Sequence, residues 1–385
     1  MNYPVFRSPS ALKHQAHHLS GPWIEVDLDA ISHNYRQIQQ ICHAPLMPVI
    51  KANAYGHGHI EVGRHLERSG AEGLCVGYLR EAISLREAGI ACPILNLGPF
   101  TATEAEKIVT VNISQSVFSD HVDLLNLAAG RLGRKTGVQI KIDTGLGRVG
   151  VPHDMALAYI QKVARLKHIR IEGVFTSLSE DKIFDREQLR RFNAVISSAT
   201  KSGLDPELRH MASSAAILDN PESHMDLVRP GIMLFGHYPS AGEFRRRRID
   251  LKPAISLKAR VSCVKKIKSG DSVAYHRIYR ATEYQTMITG AIGYPDGYPS
   301  HLADKALCLV KGRYLPLVAA VTANNIYIRG DDADDIVVGD EILLMGGGRD
   351  TPVSVESLVT ISGLSEYKLL AGLNPILPRL YYSAD

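Results

Sequence analysis

From residue 46 onward the chain repeats one pattern. A short, β-branched apolar run is followed by a longer stretch with apolar positions every three or four residues. The apolar runs are LMPVIK (46–51), GLCVGY (73–78), PILNLG (93–98), ISQSVF (113–118), VQIKID (138–143), IEGVFT (171–176), LRHMAS (208–213) and LVRPGI (227–232). Between them, stretches such as HIEVGRHLERSG, LREAISLREAG and DREQLRRFNAVISSATKSG set their apolar residues on one helical face. Strand–helix alternation predicts a parallel sheet joined by right-handed crossovers. A doubly wound open sheet alternates too, but eight units in about 190 residues favour an α/β fold of the (β/α)8 TIM-barrel type.

After residue 250 the texture changes. AISLKARVSCVKKI, YQTMITGAIGY, KALCLVKGRYLPLVAAV, NNIYIRG and DEILLMG read as strands, with SGDS, RGDDADD and VVGDE as corners between them. No helix-length pattern returns until the C-terminal stretch. The pattern thus predicts a flexible tail over 1–20, a barrel over 21–250 and a mostly β C-terminal domain over 251–385.

Composition narrows the function classes. The 385 residues are 45% hydrophobic and 22% charged, with a net charge of +4, an ordinary globular balance that gives no argument for nucleic acid. The one basic run, FRRRRID (244–250), reads as a solvated inter-domain segment. Five unpaired-looking cysteines predict a reduced, cytoplasmic protein. The N-terminal stretch has no apolar signal-peptide core, and no run approaches the ~18–20 residues of a membrane span.

In a barrel, chemistry collects where the strands end. The first strand ends at Lys51, followed by Asn53, Tyr55 and His57; the fifth carries Lys141 and runs into Arg148. The sixth ends at Thr176 and Ser177, the seventh brings His210, Ser213 and Ser214, and the eighth brings Arg229, Gly231 and Ile232. A lysine there either pairs with a barrel carboxylate or, desolvated beside Arg148 and Arg229, becomes a neutral amine able to form a Schiff base. Ser213–Ser214 and Gly231–Ile232 offer hydroxyls and backbone N–H groups to a phosphate. An imine-forming lysine with a phosphate cradle suggests pyridoxal phosphate. Three motifs are set aside. GLGRVG (145–150) matches GxGxxG but follows the fifth strand and contains Arg148; GHGH (56–59) lacks a third metal ligand; GGG (346–348) lacks the GKS of a P-loop.

Taken together, these residues resemble the alanine racemases, fold-type III pyridoxal phosphate enzymes, from about Trp23 to Arg379. The resemblance rests on VIKANAYGHG, VDLDAISHN, KIDTGLGRVG, VRPGIMLFG, IGYPDGYP and the closing Tyr367 to Pro378–Arg379, in family order. It implies a homodimer with shared active sites that interconverts L- and D-alanine by a two-base mechanism and supplies D-alanine for peptidoglycan. It also implies residue roles. Lys51 holds the cofactor and acts as one base, and Tyr275, from the partner's β domain, is the other. Arg229 faces the pyridine nitrogen and limits transamination. Arg148 and the backbone at Ala323 meet the substrate carboxylate. Tyr55, Ser214, Gly231, Ile232 and Tyr367 hold the phosphate. Tyr294 stands at the substrate entrance, and Lys141 is a candidate for carbamylation.

Several positions depart from the family. Its usual His after the strand-six Thr is Ser177, and its GRVxMDQ block reads AAVTANN (319–325), so that Ala320, Ala323 and Asn324 stand at the substrate end. The acidic residue of the substrate corridor falls near Lys182, and the Arg after GYxDGxP is Ser300 or missing. A racemase acting on serine, lysine, arginine or ornithine is therefore the alternative. A fold-type III decarboxylase would want an acid in place of Arg229, and a non-catalytic paralogue would have lost Lys51 or Tyr275.

Overall fold

The computed structural model describes residues 5–384 except 7, 8, 43 and 332. Six of the eight apolar runs form a parallel sheet in sequence order: Leu74–Val76, Ile94–Asn96, Ser114–Val117, Thr136–Asp143, Ile169–Phe175 and Leu208–His210. The other two close the circle through single parallel bridges. Val49 pairs with Cys75, Ser213 with Arg229, and Leu46 with Val228, so the first and last runs meet. The result is the predicted eight-membered barrel. Strands covered on both faces are largely apolar, and Thr136–Asp143 is buried at every position but its last, the polar Gln139 and Lys141 included. The helices between them turn one apolar face inward; Lys182–Lys201, capped by the Asp181 carboxylate, buries Leu189, Phe192, Val195, Ile196 and Ala199.

The second domain is an antiparallel barrel closed by one long strand. Ile255–Ile267 pairs along its second half with Gln285–Gly290 and along its first half with Glu341–Met345. Between those partners lie Ile326–Arg329, Arg313–Val321 and Leu307–Val310. A register shift between Val261 and Cys263 marks where the strand changes partner.

Two domain expectations need correcting. Trp23–Asp27 was expected in the barrel domain, yet it pairs with Ile255–Lys258 and with Arg379–Tyr382 in the β sheet. The stretch expected as a flexible tail is built into the same sheet. Val5–Phe6 pairs with Tyr381–Tyr382, and the helix Pro9–Ala16 buries Leu12 and Ala16 against Trp23 and Leu380. The apolar spacing of Leu12 and Ala16, one helical turn apart, is what covers that edge. Residues 1–4, 7 and 8 of that stretch lie outside the described residues.

The basic run stitches the domains. Arg246 and Arg248 pair with Glu243, Arg248 also with Asp219, and Arg247 reaches Asp350 of the β domain. All five cysteines are free. Among the described residues no helix is long and apolar enough to cross a membrane.

Candidate active site

Backbone bonds from Val49 to Pro230 and from Ile50 to Cys75 (both 2.8 Å) hold the end of the first barrel segment. Lys51 follows, and the chain then turns left-handed for four non-glycine residues: φ is +52° at Ala52, +55° at Asn53, +52° at Ala54 and +51° at Tyr55. That conformation costs L-residues about 1–2 kcal/mol each, so other contacts must impose it. Glu81 supplies one: its Oε1 accepts from the Asn53 N–H (3.2 Å), and its Oε2 accepts from Gly77 and Tyr78. The Asn53 carboxamide oxygen accepts from the His59 N–H (3.0 Å) and meets His59 Nδ1 at 2.8 Å. The last strand of the β domain bolts the far side, with Arg379 Nε donating to Gly56 O (2.8 Å) and the Tyr381 hydroxyl to His57 O (3.0 Å). Gly58 permits this approach, since a Cβ there would lie 1.8 Å from Tyr381 Oη. His57, set aside as a metal ligand, is fully buried with Nδ1 on the carbonyls of Ala54 and Tyr55.

The other barrel strands gather cations around this turn. Lys51 is exposed at the open mouth of the barrel, yet enough protein surrounds its amine to lower its pKa. Burial is the largest cause and Arg148 the next; Cys75 and Glu81 oppose them. Lys141 is buried, donates to Ser177 Oγ at 2.5 Å, and lies 4.7 Å from the centre of the Phe175 ring. Burial, then Arg229 and Arg148, push its amine well below the usual lysine range. Arg229 is buried too. It donates to Thr176 O (2.8 Å) and contacts His210 Nδ1, and His210 stacks on Phe175 at 4.9 Å. Burial lowers Arg229 only to about 10, so it stays cationic at neutral pH. Arg148 is exposed in the loop after the fifth strand. That GLGRVG loop is a turn organised by the Asp143 carboxylate, which accepts from the N–H groups of Gly145 (2.9 Å) and Gly147 (3.1 Å), so these amides are already engaged.

Beside the lysines, Ser214 Oγ accepts from the Gly231 N–H (3.0 Å), and Ile232 follows in a buried 3-10 turn. Tyr55 packs against Phe235 and Tyr367, at 5.4 and 5.9 Å between ring centres. A second group lies apart on the β domain. Tyr275, 77% exposed, shares a cavity of about 450 Å³ with Tyr294, Ala320, Val321, Thr322, Ala323, Asn324 and Asn325. Positive φ at Ala274, His276 and Arg277 holds its short turn. Among the described residues, none of the barrel's cations lines that cavity.

A model of the alanine racemase N-terminal domain matches residues 26–239, and one of the C-terminal domain matches residues 254–381. The chain belongs to the alanine racemase family. The alanine racemase of Carboxydothermus hydrogenoformans is 37% identical over 365 residues, covering 93% of this chain and 99% of the relative. That of Desulfovibrio desulfuricans is 38% identical, covering 93% and 97%. Among solved structures, the alanine racemase of Clostridium difficile 630 superposes with a TM-score of 0.90 at 31% identity, covering 95% of this chain and 97% of that one. The Bacillus anthracis enzyme with bound L-Ala-P gives 0.85 at 28%, covering 94% and 95%.

Alanine racemases depend on pyridoxal phosphate, and the residues present here fit it. Gly231 leaves a gap that a Cβ would close, at 2.7 Å from Tyr55 Oη. A buried hydroxyl (Ser214) and a phenol (Tyr55) adjoin it, and the same barrel end carries a buried cation (Arg229) and a lysine amine of lowered pKa. These donors match a phosphate, a ring nitrogen and an aldehyde. Sequence reasoning passed over Glu81 and Gln139, weighed His59 only as a metal ligand, and named Arg379 without a role. For Gln139 a signal was available: an amide inside a strand otherwise read as buried.

Proposed function

We propose that this chain racemises alanine, with Lys51 and Tyr275 as the two bases and each active site completed by a second copy of the chain. When bound, pyridoxal phosphate supplies the electron sink that acidifies the α-hydrogen of an attached amino acid. Lys51 anchors the group and exchanges that proton on one face. Its lowered pKa suits the task, because a base must be free of its proton near neutral pH. Tyr275 exchanges the proton on the other face. Tyr55, Ser214, Gly231, Ile232 and Tyr367 hold the phosphate, Arg229 faces the ring nitrogen, and Arg148 with the Ala323 backbone binds the substrate carboxylate. Tyr294 lines the entrance.

The observation that carries this reading is the separation of two half-sites. The lysine half is dense in cations, while the tyrosine half exposes a phenol in a cavity that, among the described residues, none of those cations lines. Two copies related by a twofold axis can supply each other's missing half. Chiral chromatography after incubation with single L-amino acids tests the activity, and D-alanine is the expected main product. Mixing a Lys51→Ala chain with a Tyr275→Phe chain tests the sharing. Each is inactive alone, and subunit exchange restores about one quarter of wild-type activity, since half the dimers carry one intact site. No recovery after proven exchange would refute the shared site.

Ala320 and Ala323 in the tyrosine cavity favour a second reading, acceptance of larger amino acids. A larger amino acid as the main product in the same assay would establish it.

A further inference from the structure

Behind Arg229 a chain of polar contacts runs into the barrel interior, and its chemistry allows only one arrangement of protons. A guanidinium carries donors and no acceptor. His210 Nδ1, in contact with Arg229 Nη1, must therefore be a bare acceptor. Burial, Arg229 and Lys141 hold His210 well below the usual histidine range, so the ring is neutral and its one proton sits on Nε2. That N–H needs an acceptor, and Gln139 Oε1 lies 2.6 Å away. Gln139 is buried, on the strand Thr136–Asp143, two residues before Lys141 and on the same strand face.

We infer that Gln139 is a positioning residue for the reaction: its carbonyl oxygen selects the His210 tautomer that accepts from Arg229 and so fixes the guanidinium where the cofactor ring ends. The inference rests on the reading of Arg229 given above. Gln139→Met keeps the length of the side chain but removes the acceptor, so only the Arg229 contact is left to favour the Nε2 proton. A Glu at 139 stabilises the imidazolium, whose Nδ1–H then opposes Arg229.

The test uses cofactor-loaded protein labelled with ¹⁵N-histidine. In the wild type, the His210 signals show a protonated Nε2 and a bare Nδ1 between pH 6 and 9. In Gln139→Met they move toward a tautomer mixture, and in Gln139→Glu toward the imidazolium. In both variants kcat falls by roughly ten- to a hundredfold, as for groups that orient a site's contacting residues, while KM for the amino acid changes less than about twofold. Gln139→Glu, nearly isosteric, serves if Gln139→Met does not fold. A wild-type proton on Nδ1, or variants with the wild-type tautomer and kcat, would overturn the inference. A wild type with the expected tautomer but no racemisation would instead sink the functional reading and leave the proton assignment standing.

Discussion

Gly231→Ala isolates the phosphate end of the proposed cofactor site with a single methyl group. The new Cβ would stand 2.7 Å from Tyr55 Oη and 3.3 Å from Tyr55 Cζ. Non-bonded carbon contacts settle near 3.5–4.0 Å, so the phenol tip must retreat by about 0.7 Å or more. It has little room, being buried with Phe235 at 5.4 Å and Tyr367 at 5.9 Å between ring centres. Overpacking of this kind costs about 1–3 kcal/mol. If the cost falls on the bound state, the apparent Kd for pyridoxal phosphate rises by roughly five- to 150-fold. Titrating cofactor-stripped protein with pyridoxal phosphate, followed by absorbance, measures it. Tyr55→Phe removes the nearest atom, so the double variant should recover more than 0.5 kcal/mol of the loss as a coupling term. An unchanged affinity in Gly231→Ala, or an identical loss with and without the Tyr55 hydroxyl, would refute the steric argument.

Two further predictions concern buried titratable groups. His57 is held neutral, at about 3, first by burial and then by His237. The unfolded imidazole takes up its proton near 6.5 and the native one does not, so stability is lost as pH falls between those values. The slope is about 1.4 kcal/mol per pH unit in that window, and urea unfolding should show it flattened in His57→Asn; an unaltered slope counts against it. Ser177→Ala removes the acceptor 2.5 Å from the Lys141 amine and should destabilise the fold by about 1–3 kcal/mol in chemical denaturation. A variant as stable as the wild type would mean that this contact is replaceable.

The barrel was legible because its strands are covered on both faces and therefore appear as short, mainly apolar runs between amphipathic helices. What escaped was whatever depends on distant partners. WIEVD lies within the stretch read as the barrel domain (21–250), yet it pairs with Ile255–Lys258, more than 200 positions later. Local pattern carries no information about that pairing. The turn after Lys51 is a harder case. KANAY contains no glycine, and nothing in its residue types asks for positive φ at four successive positions. The conformation is imposed from outside by Glu81, Arg379 and Tyr381, so only tertiary structure reveals it. The chemistry-bearing residues were easier to find than their supports, because a lysine or arginine in an apolar setting is conspicuous, whereas an amide such as Gln139 in the same kind of run is a weaker signal.

The long strand of the β domain also bears on the proposed sharing of the site. Arg379, which bolts the Lys51 turn, is in register with Ile24, and Ile24 is in register with Leu257. The lysine half is therefore anchored near the start of Ile255–Ile267. The tyrosine half begins beyond its other end, where Ser272–Val273 pairs with Tyr279–Arg280 and Tyr275 sits at the tip between them. From Leu257 to Ile267 is ten residues, or about 33 Å of strand at ~3.3 Å per residue. A proton-transfer group must come within about 3 Å of the atom it serves. Tyr275, placed beyond that end of the strand and left 77% exposed, is suited to reach outward. That exposure supports the proposed dimer, in which the phenol would serve the lysine half of a second copy.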